Sequence, residues 1–240
     1  MRPADPNIEQ VLGEFLTESS ERANADGLQQ SEAIVDLLIS YLDGYAYESL
    51  SREEEEFWRA RWEEDEEANS YCRTFGADKI LPAVGPFLGW YVIRKVAGPA
   101  WIVKAAGPVI SDLIDWLSDH GYAGEDDVTE VKERAVEASR DLPGADRLGS
   151  ILHDQTEKEP SGRILEDKDL DDELITISRV EPETIWFETE EGEAIGPVRV
   201  PAEASDLAQV GWGISATHLV RTAAGWHLAE IGNVYPGPLS

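Results

Sequence analysis

Cysteine occurs once in the 240 residues, at Cys72, so no internal disulfide can staple the chain. Only four histidines are present, and they are scattered, which excludes a Cys/His zinc module. Nothing here requires an oxidising compartment. Lysine is scarce too: six Lys and fourteen Arg face 49 Asp plus Glu, for a formal charge of −29. No apolar run is long enough to cross a bilayer. The longest, Ile80–Ile93, has 14 residues, is broken by Pro82, Gly85 and Pro86, and stops at Arg94-Lys95. The amino terminus lacks the charged start, apolar core and small-residue cleavage site of a secretory signal, so a cytoplasmic location without membrane association is expected. Neither Gly-x-x-x-x-Gly-Lys nor Gly-x-Gly-x-x-Gly occurs, and Gly211-Trp212-Gly213 is too short to cradle a phosphate.

What is present suits a packed protein. Hydrophobic residues make up 42% of the chain and eight are Trp, enough for a core in one large domain or two small ones. The excess of acid resembles the composition of proteins from salt-loving cytoplasms. At molar salt the Debye length is about 3 Å, so dozens of surface carboxylates keep the protein hydrated without strong mutual repulsion. The runs Glu53 to Glu56, Glu63 to Glu67 and Glu166 to Glu173 therefore read as solvated faces. The last lacks the glycine that a calcium loop needs at its sharp turn, and no metal site or cofactor is assigned. Cys72 reads as a small buried apolar residue rather than a nucleophile. In so acidic a chain a carboxylate pair can be drawn almost anywhere, so no catalytic residue is assigned and the protein is read as non-enzymatic.

Periodicity divides the chain. Ile8, Val11, Leu12, Phe15 and Leu16 trace one face of a helix over 7–22, and Ile34, Leu37, Leu38, Tyr41, Leu42 and Tyr45 trace a second helix from about Gln30. Ser51 with Glu54 forms a capping box that opens a third, carrying Phe57, Trp58 and Trp62 as core anchors. A helix over 78–96 is distorted at Gly85-Pro86, and another runs from Pro99 to about His120, with Gly121 as its cap. A last helix ends near Arg140. The polar stretch His153–Arg163 reads as a linker, and short strands follow at 174–180, 184–189, 196–200, 213–222 and 225–231, with turns at Glu191-Gly192 and Ala224-Gly225. The expectation is an α+β protein: a helical bundle over 1–150, a linker over 151–163, and a small antiparallel β-barrel of SH3-like or OB-like kind over 164–240.

Charge is unevenly spread. From Ala68 to Ser111 five bases (Arg73, Lys79, Arg94, Lys95 and Lys104) stand against Asp78 alone, a net +4 over 44 residues. The remaining 196 residues carry 15 bases and 48 acids, a net −33. Two explanations fit: a buried segment carries few acids whatever its role, and a cationic patch meets an anionic partner.

The cadence Gly89-Trp90-Tyr91-Val92-Ile93-Arg94-Lys95, then Trp101-Ile102-Val103-Lys104, then Val109–Tyr122, resembles the second helical hairpin of the core-binding (SAM-like, phage-integrase-like) domain of tyrosine recombinases. The helix from Ser31 through Leu42 is similar to that domain's first hairpin, and the resemblance spans roughly residues 8 to 122. It implies a helical clamp on double-stranded DNA, with Arg94, Lys95 and Lys104 in the position of the family's cations and Arg73 and Lys79 beside them in the basic window. The activity does not carry over. His218-Leu219-Val220-Arg221, followed by Trp226, His227 and Tyr235, has the letters of the recombinase site, but crowded into an apparent hairpin and without a catalytic domain around it. Two functions are therefore expected: a non-catalytic nucleic-acid-binding or accessory protein of a halophilic cytoplasm, or a protein-interaction scaffold that keeps the helical fold without the DNA. Trp186, Trp212 and Trp226 would suit an interaction surface if exposed, although each reads more naturally as core.

Overall fold

The structure, a computed structural model, describes residues 1–66, 68–95, 99–156, 162–170, 173–215 and 217–237, with the side chains of residues 95, 125 and 126 outside the description. The chain forms two compact units: one of Met1–Val92 with Lys104–Ser139, the other of Ile93–Val103 with Arg140–Ser240.

In the first unit, α1 (Ile8–Arg22) starts at Asn7, whose side chain and that of Gln10 form a reciprocal capping box. Its stripe of Ile8, Val11, Leu12 and Phe15 is buried. Helix α2 (Ala25–Tyr45) begins five residues before the expected Gln30, because the Asn24 side chain accepts from the Gly27 N–H and caps it there. After a 3-10 turn at Ala46–Ser49, the Ser51/Glu54 capping box opens α3 (Arg52–Trp62) as the sequence indicates. A short helix, α4 (Tyr71–Thr74), packs on both α1 and α2. The distortion expected at Gly85-Pro86 is present: α5 (Ile80–Pro86) passes into a π-helical turn at Phe87–Tyr91 before α6 (Val92–Lys95). Helix α7 (Ala100–Asp119) buries Ile110, Leu113, Ile114, Trp116 and Leu117, and Gly121 follows it in the left-handed conformation (φ +73°).

Helix α8 (Glu125–Thr156) corrects the sequence reading. It passes the expected stop at Arg140, runs through Pro143, and occupies 151–156 of the expected linker, whose residues 157–161 lie outside the described residues. An interior proline costs a helix about 3 kcal/mol. What offsets it is a buried stripe at three- and four-residue spacing: Leu142, Ala145, Leu148, Ile151 and Leu152. Gly144 has a packing role, since a Cβ there would lie 3.3 Å from the Trp212 ring.

In the second unit, the α8 stripe from Ala145 to Leu152 shares one core with the inward side chains of a sheet, among them Ile175, Ile177, Ile185, Phe187, Leu219 and Leu228. The strands are β1 (Glu166–Leu170), β2 (Ile175–Glu181), β3 (Thr184–Glu188), β4 (Ala194–Arg199), β5 (Gly213–Ile214), β6 (Thr217–Thr222), β7 (Gly225–Glu230) and β8 (Val234–Tyr235), with α9 (Ala202–Leu207) between β4 and β5. Their order is β1-β6-β7-β4-β3-β2-β5-β8. The protein is thus α+β, but the expected antiparallel barrel is replaced by an eight-stranded mixed sheet. Strand β4 pairs parallel to β7, and among the described residues β1 and β8 end the sheet without closing it. Two strands, β1 and β8, lie outside those read from the sequence, and the stretch 213–222 read as one strand divides into β5 and β6. The acidic run at 166–170 is strand β1, which pairs with β6 along its full length, while Asp171 and Asp172 of that run lie outside the described residues. Among the described residues no helix is long and apolar enough to cross a membrane.

Candidate functional site

The expected DNA-binding cations do not share one environment. Arg73, on α4, donates from Nε and Nη2 to the two carboxylate oxygens of Glu9 on α1 at 2.7 and 3.2 Å. Lys79 donates to Glu54 Oε1 at 2.6 Å, with Asp78 3.8 Å away. The Lys79 ammonium and the Ser51 cap hold the Glu54 carboxyl well below the usual carboxylate range, at about 2. Arg94 is exposed on α6 and belongs with the second unit, whereas Lys104 is exposed on α7 and belongs with the first, as do Arg73 and Lys79. Lys104 has no ion pair among the described residues, and the Lys95 side chain lies outside them. The acid-poor window of the sequence is therefore partly neutralised by acids that precede it, Glu9 and Glu54. Burial accounts for much of the missing acid, since Ile80, Leu81, Val84, Phe87, Leu88, Tyr91 and Val92 are all core.

The recombinase-like letters on β6 do not assemble a site. His218 Nε2 lies 2.5 Å from Asp167 Oδ1 and Arg221 donates to Glu166 at 3.3 Å, so each is engaged by a different carboxylate of β1. His227 meets the Thr222 hydroxyl and Tyr235 is buried. Cys72 is buried as expected. Burial, reinforced by the neighbouring Asp43, pushes its thiol far above the ordinary range and away from nucleophilic use. Among the described residues no three His, Cys, Asp or Glu side chains group as metal ligands. Trp212 is core, while Trp186 and Trp226 are half-buried, with Arg179 and Arg221 over their rings at 4.6 and 5.9 Å.

A different site emerges in the helical unit. A cleft of about 440 Å³ lies among α1 to α4 and the loop between α3 and α4. Trp58 and Trp62 of α3, Glu9 of α1, Asp43 of α2, Glu66 of the loop and Arg73 of α4 are among its lining residues. Trp58 is fixed by its indole N–H, which donates to the Asn69 carbonyl at 3.2 Å, and by stacking on Tyr47 with ring centroids 5.7 Å apart. Trp62 lies against Trp58 at 6.1 Å and is 38% exposed, so it is not the core anchor the sequence suggested. Asp43 accepts from the Cys72 backbone N–H at 2.8 Å, which holds α4 against α2. Glu66 is exposed and has no ion pair among the described residues. Among the described residues the lining thus carries three carboxylates and one guanidinium, and that guanidinium is bonded to Glu9. The sequence offered one signal for this site: Trp58 and Trp62 stand four apart in a helix otherwise made almost wholly of charge.

No protein-family model, no curated protein and no solved structure matches this chain.

Proposed function

We propose that the chain is a non-catalytic protein-interaction protein, in which the helical unit offers a recognition cleft to a partner protein. The observation that carries this reading is the electrostatics of the helical unit: Arg73 and Lys79, which a DNA clamp would use on phosphates, are bonded to Glu9 and Glu54, while the unit's cleft presents indole and carboxylate. Phosphate would be repelled from such a cleft, and a cationic protein surface would be drawn to it. The acidic composition supports operation in a salt-rich cytoplasm, where long-range repulsion is muted.

A second reading rests on Arg94 and Lys104, both exposed. Together with the likeness of residues 8–122 to a recombinase core-binding domain, it makes the chain an accessory to a double-stranded DNA complex. Titration of a labelled DNA duplex across KCl concentrations separates the two. The interaction reading expects no duplex binding at any ionic strength. Duplex binding that Arg94→Glu/Lys104→Glu abolishes would overturn it in favour of DNA.

A further inference from the structure

We propose that the cleft among α1 to α4 seats an arginine side chain from an extended segment of a protein partner, the guanidinium lying on the Trp62 indole and forking onto the Glu66 carboxylate. This rests on the interaction reading and names the chemistry of its partner. The cleft's volume, about 440 Å³, falls in the range of roughly 300–1,000 Å³ typical of built ligand pockets. Its walls suit a cation on two independent counts. Glu9, Asp43 and Glu66 outnumber Arg73, whose charge is already matched by Glu9. The indole of Trp62 is 38% exposed and rests against Trp58, whose own ring is anchored by the Asn69 carbonyl and by Tyr47.

Arginine fits better than lysine. A guanidinium is planar and weakly hydrated, stacks on an aromatic face, and bonds a carboxylate through two parallel N–H groups; an ammonium is a compact, strongly hydrated point charge. The same chain uses both halves of this chemistry internally: Glu9 grips Arg73 with both oxygens, and the Arg179 guanidinium lies 4.6 Å over the Trp186 ring. In concentrated salt the point-charge attraction is screened and stacking survives, which again selects arginine. A chain charge of −29 favours a cationic segment over free arginine, because several positive residues are steered in together.

The test is calorimetric titration of the full chain with a short Arg/Gly peptide, its Lys/Gly and citrulline/Gly counterparts, and arginine amide, at low and at molar KCl. The arginine peptide is expected to bind, the lysine peptide about tenfold more weakly, and arginine amide more weakly than the arginine peptide. The citrulline peptide, the same shape without the charge, is expected not to bind. Trp62→Ala is expected to weaken the arginine peptide about tenfold and Trp62→Phe much less. Glu66→Gln, a surface change that leaves packing intact, is expected to weaken it about threefold and to flatten the salt dependence. Equal affinity in wild type, Trp62→Ala and Glu66→Gln would remove the cleft from the binding site and leave the interaction reading standing. Failure of the wild type to bind the arginine peptide would overturn the arginine assignment. Duplex binding sensitive to charge reversal at Arg94 and Lys104 would instead overturn the reading beneath it.

Discussion

Replacing Gly107 by alanine tests a close helix crossing in the helical unit. Gly107 lies in α7 against Ser139 of α8, and a Cβ built on it would stand 2.4 Å from Ser139 Oγ, 2.5 Å from Ser139 N and 2.7 Å from Ser139 Cα. Two of these three atoms are backbone, so no side-chain rotation relieves the contact and the helices must separate. Overpacking of this kind costs about 1–3 kcal/mol, and with backbone opposing backbone the upper half of that range applies. Alanine is a better helix former than glycine by about 0.5–1 kcal/mol, which leaves a net loss on the order of 1–2 kcal/mol. Gly13 of α1 and Gly44 of α2 supply the control, because a Cβ at either meets nothing within 4 Å. Gly13→Ala and Gly44→Ala are expected to stabilise by about 0.5–1 kcal/mol. Urea denaturation followed by far-UV circular dichroism reads all three. Adding Ser139→Gly to Gly107→Ala removes only the hydroxyl contact and is expected to recover little. A Gly107→Ala variant as stable as Gly13→Ala would refute the close approach of α7 and α8.

Three further outcomes follow from side chains already described. Glu54 is held at about 2, chiefly by Lys79, against an ordinary 4.5, so the stability it contributes is complete above pH 4.5 and is lost as the pH falls towards 2. Lys79→Met should flatten the acid limb of the stability profile in that window by about 1–2 kcal/mol, and an unchanged limb in acid titrations would show the pair to be ornamental. Cys72 should resist aromatic disulfide reagents in the native state and react fully in denaturant; rapid native labelling would contradict its burial. Because the chain carries −29, its unfolding midpoint should rise as KCl is increased to molar concentrations, and a flat response would mean that carboxylate repulsion is not a significant load on the fold.

What was legible in the sequence is local. The Ser51/Glu54 capping box, the stripe of α1, the distortion at Gly85-Pro86 and the turns at Glu191-Gly192 and Ala224-Gly225 are each decided within a few residues, and each is present. What escaped is decided at a distance. Strand β1 is an acidic run made into a strand by β6, some fifty residues later. Helix α8 continues through Pro143 because its far half is a wall of the sheet's core, which no window around the proline reveals. Two cations of the basic window are matched by acids that a count along the window leaves out, for the same reason: the carboxylate that meets Arg73 is 64 residues away and the one that meets Lys79 is 25 away. Charge counted along a chain predicts a patch only when the compensating residues are counted in space. Trp62 was misplaced because its periodicity matches that of Trp58, while exposure depends on where α3 ends relative to the cleft.

Among the described residues β1 ends the sheet opposite β8, and its sequence is Glu-Asp-Lys-Asp-Leu. Such a rim is a template for adding further copies edge to edge, and ionised side chains are what make stacking copies on it unfavourable. Brine relaxes crowding across the rest of the surface and weakens this guard at the same time. Salt that relieves repulsion across the carboxylate-rich surface therefore also lowers the barrier to edge-to-edge association.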